Sequence, residues 1–350
     1  MAVMTWDPAR FDVTPAMRPP GNLESDFSAR NDVGIGMRMN AWLVPFVISS
    51  VLVVLRTYTR YFAMKSPGWD DHIMVFVWLF FAVYTILGFE AARHGNGTHQ
   101  WNMSQTTLFD ALHFSYIMTA LYGPLIMVLK VSILLQLKRI FCPQNLGTIS
   151  LIVRILIPLH IVVYTVGFIT AMLLCIPMER YWHPYLAGKC SNKLVAFTIH
   201  AAFSVPSDLI ILVIPLIKIW GLQHISGGRK LALTAIFATG LLACASGIMR
   251  LYYTTKLQNN NDYTYGMSRV STWSVAEIAS GIICACLPSV PPFVRHCIPR
   301  LRTLYGTVTP KRETSPDSFS GLGDSRDTID SIVRLDAMGV KRDDRSLSSV

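Results

Sequence analysis

The amino-acid sequence predicts an all-α membrane protein: a bundle of seven transmembrane helices with its amino terminus outside the cell and its carboxyl terminus in the cytoplasm. Three observations predict this fold class. Of the 350 residues, 52% are hydrophobic and only 15% are charged, and the mean hydropathy is +0.41. Soluble domains carry about 25% charged residues. Apolar segments of transmembrane length recur along the chain, and basic residues are unevenly shared between their connections.

Seven apolar segments are long enough to cross a bilayer, whose hydrocarbon core takes about 20 mostly apolar residues in a helix. We expect them to be helices because a spanning segment must satisfy its backbone hydrogen bonds internally. Asp208 interrupts the fifth segment, which is therefore the weakest. The segments cover roughly residues 41–62, 71–92, 109–137, 151–175, 194–219, 231–253 and 272–294.

These segments divide the chain into three predicted regions. Residues 1–40 form an outer tail, and residues 41–295 form the seven-helix transmembrane domain. Residues 296–350 form a cytoplasmic tail that is rich in Ser, Asp and Arg and poor in apolar residues. Such a composition cannot bury a core, so we expect this tail to be largely disordered.

The charged and glycosylatable residues in the connections predict the orientation. Lys and Arg are retained on the cytoplasmic side of membrane proteins. With the amino terminus outside, the three inner connections carry nine of these residues and the three outer connections carry six. Two N-glycosylation sequons, at Asn96 and Asn102, fall in the outer connection between the second and third segments. Both features favour the same orientation.

Four of the ionisable residues inside the predicted helices stand out, because charge is costly there and each is expected to face the bundle interior or a partner. Lys130 and Asp208 lie about 12 and 15 Å from the inner ends of their helices, which would allow them to pair. Arg250 and Glu277 lie near the outer side, with Trp273 one turn from Glu277. Two interpretations stay open: structural ion pairs, or a polar core that binds a ligand.

A second set of charges flanks the first inner connection. Arg56 and Arg60 lie one turn apart at the cytoplasmic end of the first helix. Asp70 and Asp71 begin the second helix, where acidic side chains complement the helix dipole and cap free N–H groups. We interpret these four residues as a cytoplasmic rim clamp between helices one and two. A role in binding a cytoplasmic protein stays open.

Two of the seven cysteines are expected to form a disulfide bond. Cys175 ends the fourth helix, and Cys190 lies in the connection that follows it. In the predicted orientation both face an oxidising compartment, where a bridge persists. A loop of this size stabilises the fold by about 3 kcal/mol in the chain-entropy estimate. The bridge would hold Trp182 and His183 over the outer mouth of the bundle.

The sequence offers no set of residues typical of catalysis, metal binding or nucleic-acid binding. Its histidines lack the spacing of a zinc motif, and it has no phosphate-binding loop or nucleophile elbow. A retinal Schiff base is not expected, because the predicted seventh helix contains no lysine. Basic residues are scattered along the helix ends, so no nucleic-acid partner is expected. The expected partners are the lipid bilayer, a small molecule and a cytoplasmic signalling protein.

An ordered set of motifs covers about residues 35–300. The set comprises R-x-Y-x-R at 56–60 with Trp69-Asp70-Asp71, HGNGTH at 94–99, Lys130-Val-Ser132, C-x-P…W…G-K-C at 175–190, Asp208 with Pro215, Arg250, and W-x-x-x-E at 273–277 before ACLPSVPP. Together these motifs resemble the fungal rhodopsin-domain family of seven-helix integral membrane proteins. The resemblance implies the topology, a receptor-like character, and a link of some members to mycotoxin gene clusters.

Three functions are weighed. The first is a receptor-like protein of the plasma membrane that binds an extracellular small molecule between helices three, five, six and seven, near Trp273, Glu277 and Arg250. The second is an intramembrane enzyme of secondary metabolism, such as a cyclase or transferase, in which Asp208 and Glu277 donate protons. The third is a transporter, which the absence of an internal repeat makes less favoured.

Overall fold

The computed structural model describes residues 14–19, 25, 32–141, 147–191, 193–220, 227–258 and 262–296. Most of the predicted outer tail, residues 1–40, and nearly all of the predicted cytoplasmic tail, residues 296–350, lie outside this described part. The prediction of disorder for the carboxyl-terminal tail therefore concerns residues that the structure does not describe.

The fold is a helical bundle with one small hairpin of strands. Within the described residues, seven helices are long and apolar enough to cross a membrane. The helices are α1 (Asp32–Tyr58), α2 (Trp69–Arg93), α3 (Gln105–Phe141), α4 (Thr148–Met172), α5 (Lys193–Trp220), α6 (Gly227–Gln258) and α7 (Tyr263–Cys286). A π-helical turn (Thr59–Ala63) continues α1, and 3₁₀ turns cover Gln100–Asn102, Met178–Tyr181 and Leu287–Ser289. Strands β1 (Cys175–Ile176) and β2 (Lys189–Cys190) pair antiparallel between α4 and α5.

Helices α1 and α7 begin well before the apolar segments that predict them. Helix α1 starts at Asp32, ahead of its apolar span, which begins at Met39. Helix α7 starts at Tyr263, although hydropathy indicated a start near 272. Its first turns are polar, but their hydroxyls bond to helix carbonyls, as Ser271 does to Met267 at 3.0 Å. Polar side chains satisfied in this way are tolerated in a membrane helix.

An apolar surface on the outer helices is consistent with contact to lipid. On α1, Val44, Val47, Val51 and Val54 recur three or four residues apart, and each is at least half exposed. Residues at this spacing lie on one helix face. Soluble monomers seldom expose such contiguous apolar surface, so a lipid environment accounts for it.

The core lies around α7, the most buried of the membrane-spanning helices. In its most apolar stretch 61% of the residues are buried, compared with 22% in α1. Helix α7 packs against α6, α1 and α3. Close packing of α1 on α2 depends on Gly88, because a Cβ atom built there would lie 1.5 Å from the indole of Trp42.

We name the two ends of the bundle by the residues that they carry. The disulfide end contains Cys175 and Cys190, and the arginine end contains Arg56 and Arg60. Helix α1 runs from the disulfide end to the arginine end, and successive helices alternate in direction.

Candidate functional site

A buried ion pair joins α6 to α7 near the middle of the bundle. Nε of Arg250 lies 2.7 Å from Oε2 of Glu277, and the exposed fractions of the two residues are 4% and 1%. Tyr122 of α3 donates a hydrogen bond to the same carboxylate oxygen at 2.9 Å. The guanidinium carbon of Arg250 lies 4.9 Å from the centre of the Tyr122 ring, which adds a cation–π contact. The sequence anticipated the Arg250–Glu277 pair but not Tyr122.

The second predicted pair, between α3 and α5, is also formed. Nζ of Lys130 lies 2.9 Å from Oδ1 of Asp208. The same ammonium donates to the hydroxyl of Ser207 at 2.7 Å and to the hydroxyl of Ser204 at 2.9 Å. Lys130 is 2% exposed, so these contacts replace the water that it would otherwise bind.

Ser204 connects the two ion pairs into one network. Its hydroxyl accepts from Lys130 and donates to Oε1 of Glu277 at 2.8 Å. We call Lys130, Ser204, Asp208, Arg250 and Glu277 the polar network. It contains two cations and two anions, so its formal charges cancel, and it links α3, α5, α6 and α7. Buried charges persist in a membrane when they are paired and hydrogen-bonded in this way.

A cavity of about 780 Å³, including its open mouth, lies on the disulfide-end side of the polar network. Arg250 and Tyr122 line it next to the network, and His200 of α5 lines it as well. Its other walls are mostly apolar and include Met118, Phe168, Phe197, Leu257, Met267 and Val270. The lining is typical of a small-molecule pocket, which is usually apolar with a few polar groups.

Trp273 lies apart from this cavity. It is half-buried, and the cavity's lining residues in the described chain include its helix neighbours Ser271 and Ser274 but neither Trp273 nor Glu277. Ser274 and Glu277 face the bundle interior, whereas Trp273 is rotated about 100° from Ser274 around the helix axis. Glu277 therefore does not line the cavity itself, but it bonds to Arg250 and Tyr122, which do.

His200 is a cavity residue that the sequence did not single out. Its ring is perpendicular to that of Tyr164, with centroids 4.7 Å apart. A Cβ atom at Gly167 would lie 2.8 Å from Cδ2 of His200, so the missing side chain of Gly167 makes room for the ring. One sequence signal was available: His200 lies one turn from Ser204 and two turns from Asp208 on α5.

The arginine end contains a buried cluster around Arg56, which is 1% exposed. Its Nη2 lies 2.9 Å from Asp70 and 2.7 Å from Asp71, so the predicted charge pairing between helices one and two is present. Nη1 donates to the side chain of Gln136 at 2.8 Å and to the backbone oxygen of Ala285 at 2.6 Å. The cluster thus connects α1, α2, α3 and α7, rather than two helices at an exposed rim.

Two further arginines complete this cluster. Nη1 of Arg139 lies 2.8 Å from Asp70 and 3.3 Å from Asp71, and its Nη2 donates to the backbone oxygen of Ser66 at 2.7 Å. Arg60 is more distant, with Nε 3.6 Å from Asp71. Three guanidinium groups thus meet two carboxylates, and the cluster keeps a net positive charge.

The disulfide end is closed by the loop between β1 and β2. Cys175 and Cys190 form a disulfide bond, as the sequence predicted. Within the loop, Tyr181 is buried, and its hydroxyl lies 2.7 Å from that of Tyr263 at the start of α7. Burial raises the pKa of Tyr181 well above its ordinary value, which keeps the phenol neutral. Trp182 packs on His113 of α3, with ring centroids 4.7 Å apart.

The two sequon asparagines differ in their surroundings. Asn96 is 8% exposed, and its side-chain amide lies 3.4 Å from the hydroxyl of Ser115. Asn102 is half-buried at the end of a 3₁₀ turn. A glycan on Asn96 would have to displace the packed loop, whereas Asn102 lies closer to the surface.

The chain is similar to known proteins of one family. The fungal rhodopsin domain matches residues 55–296. A "SAT4 family membrane protein" of Emericella nidulans is 35% identical over 69% of the chain, which spans 58% of that relative's length. "Fugralins biosynthesis cluster protein 2" of Gibberella zeae is 25% identical over 79% of the chain and 71% of the relative. "Receptor GIN3" of Arthrobotrys oligospora is 23% identical over 80% of the chain and 65% of the relative. No solved structure matches the chain.

Proposed function

Because this chain belongs to the fungal rhodopsin domain family, a family of multi-pass membrane proteins, we propose that it is a receptor-like protein of the plasma membrane that binds an extracellular small molecule. The observation that carries this proposal is the contact between the cavity and the polar network. Arg250 lines the cavity and also pairs with Glu277, so a ligand that touches Arg250 acts on a network linking α3, α5, α6 and α7.

We place the disulfide end outside the cell and the arginine end in the cytoplasm. The distribution of Lys and Arg supports this orientation, as does the Cys175–Cys190 disulfide, since disulfides persist in oxidising compartments. The cavity then lies on the outer side of the network, where an extracellular molecule can reach it. The cluster around Arg56, which carries a net positive charge, then faces the cytoplasm. A receptor function requires a signalling protein on that side of the membrane.

The proposed signal is a change in the packing of α6 against α7. A ligand shifts a conformational equilibrium only by the difference between its affinities for the two states. Arg250 can supply this difference in affinity. Its guanidinium bonds to Glu277 and would also bond to the ligand, so the position of this one side chain sets both interactions. The name of the Arthrobotrys relative, a receptor, is compatible with this function.

The test is a cellular response that depends on Glu277. Compounds that raise the melting temperature of the purified protein in nanodiscs are selected first and then applied to cells that carry the protein. We expect Glu277→Gln to abolish the response while the amount of protein at the cell surface stays normal. The double variant Arg250→Gln with Glu277→Gln controls for the unpaired arginine. An unchanged response in Glu277→Gln would remove Glu277 from the mechanism.

A second candidate is an intramembrane enzyme or accessory protein of a secondary-metabolite pathway. The specific observation in its favour is a pair of buried carboxylates: a Cβ atom at Gly247 would lie 3.5 Å from Asp208 and 3.8 Å from Glu277. The Gibberella relative is named for a biosynthesis cluster. Deletion of the gene distinguishes the candidates, because an enzyme leaves an accumulated intermediate and a receptor does not. Uptake measurements on the same strain test the transporter alternative.

A further inference from the structure

We propose that the cavity binds a neutral, largely apolar molecule through a hydrogen-bond acceptor, such as a carbonyl oxygen, that is held by Arg250 and His200. This inference rests on the proposed receptor function and adds the chemical class of the ligand. Three features of the cavity carry it: two buried nitrogens that have no partner in the described part of the chain, the charge balance of the polar network, and the apolar walls.

The first feature is a pair of unsatisfied nitrogens. Nη2 of Arg250 and Nε2 of His200 are buried, and neither has a hydrogen-bond partner among the described residues. Both residues line the cavity. Arg250 always carries its protons, and neutral His200 donates when its proton is on Nε2. A buried donor without an acceptor costs free energy, so an acceptor group that reaches either nitrogen from the cavity would be favourable.

The second feature decides the charge of the ligand. The positive charge of Arg250 is already balanced by Glu277, and that of Lys130 by Asp208. A carboxylate or phosphate in the cavity would therefore bring an unbalanced charge between mostly apolar walls, and this is costly. A neutral acceptor gains the same hydrogen bonds without that penalty.

The third feature is the composition of the walls. Met118, Phe168, Phe197 and Leu257 offer apolar surface to the body of a ligand. The glycines in the lining widen the cavity, and Gly167 in particular leaves room for the ring of His200. Burial of apolar ligand surface against such walls is favourable, and the few polar groups then fix its orientation.

The experiment uses three photoreactive probes with the same ten-carbon chain and the same diazirine. One ends in a methyl ketone, one in a carboxylate, and one is a plain hydrocarbon. The full-length protein in nanodiscs is irradiated with each, and labelled peptides are measured by mass spectrometry. Labelling of the α3 peptide around Thr119 reports the cavity, and labelling of the exposed α1 peptide around Val54 reports lipid-facing background.

We expect the ketone probe to label the cavity peptide about tenfold more than either other probe, the ratio that one good hydrogen bond produces. Two variants should abolish this preference. His200→Phe keeps an aromatic ring but removes Nε2, and Arg250→Lys keeps the charge beside Glu277 but removes Nη2. The matched control is His160→Phe, because His160 is also buried with Nε2 lacking a partner in the described chain, yet it does not line the cavity.

The outcomes separate this inference from the receptor function. Equal labelling of the cavity by the hydrocarbon, or stronger labelling by the carboxylate, would overturn the ligand class while leaving a ligand-binding cavity in place. A ketone preference that survives in both His200→Phe and Arg250→Lys would overturn the roles of these residues. Ketone-selective labelling with no cellular response to any cavity ligand would support the ligand class and refute the receptor function.

Discussion

The hydroxyl of Ser204 lies 2.8 Å from Oε1 of Glu277, and this hydrogen bond turns two separate ion pairs into one network. Because Lys130 donates to the same hydroxyl, Ser204 accepts from a cation on α3 and donates to an anion on α7. A single neutral side chain on α5 thus couples the charges of four helices. We therefore expect a change in the packing of α6 and α7 near Glu277 to affect Lys130 and Asp208 through Ser204.

Replacing Ser204 with alanine is expected to lower the free energy of unfolding by about 1–3 kcal/mol, which is the cost of leaving a buried polar group without its partner. The measurement is thermal unfolding of the purified protein in detergent. Ser150→Ala is the matched control, because the hydroxyl of Ser150 is buried without a hydrogen bond within the described residues. A loss in Ser150→Ala equal to that in Ser204→Ala would contradict the linking role of Ser204.

Replacing Arg56 with lysine is expected to lower the free energy of unfolding of the protein by about 3 kcal/mol. Lysine keeps the charge, but it cannot reach the two aspartates, Gln136 and Ala285 together, because it lacks the planar fork of the guanidinium. Arg93→Lys is the control, since the Arg93–Glu90 pair is largely exposed and such pairs contribute about 0–1 kcal/mol. Comparable melting temperatures for the two variants would argue against a structural role for the Arg56 cluster.

Replacing Gly88 with alanine is expected to separate α1 from α2. The new Cβ atom would lie 1.5 Å from the Trp42 indole, so one of the two helices must move. We expect a loss of about 1–3 kcal/mol, as for other overpacked cores, and a change in Trp fluorescence. Gly36→Ala in α1 is the control: a Cβ atom there meets nothing within 4 Å, and alanine favours the helix. Unchanged stability in Gly88→Ala would show that this packing is not tight.

Glycosylation is expected at Asn102 and not at Asn96. The proposed orientation exposes both sequons to the glycosylation machinery, but Asn96 is packed against Ser115 in the folded loop. Removal of N-glycans should therefore shift the gel mobility of the wild type and of Asn96→Gln, and it should leave Asn102→Gln unchanged. A glycan found on Asn96 would mean that this loop is not packed as described, and the absence of glycans from both would count against the orientation.

Much of the candidate site was predictable because of the cost of charge in lipid. That cost singled out Lys130, Asp208, Arg250 and Glu277, and the two pairs they form follow from similar depth on neighbouring helices. Trp273 was placed near the ligand from its spacing to Glu277. Two residues four positions apart on a helix differ in direction by about 40° around the helix axis, and this difference is enough to turn one of them away from a cavity wall.

The neutral members of the site were not predictable in the same way. Nothing in the local sequence of Ser204 or Tyr122 distinguishes a bridging hydroxyl from a packing one. For His200 the sequence offered only its helical spacing to Ser204 and Asp208. The depth of burial of Arg56 was also missed. Its partners Gln136 and Ala285 lie far away in the chain, so only the folded bundle brings them to its guanidinium.

The sequence by itself determined the number of membrane-spanning helices, the four charges of the polar network and the Cys175–Cys190 pairing, because each follows from composition, from the length of apolar segments or from the chemistry of one residue type. The tertiary structure alone decided that one serine joins both ion pairs, that Arg250 and His200 line a common cavity, and that Asn96 is buried. These depend on how far each helix is rotated and shifted against its neighbours, which is set by side-chain packing between segments distant in the chain.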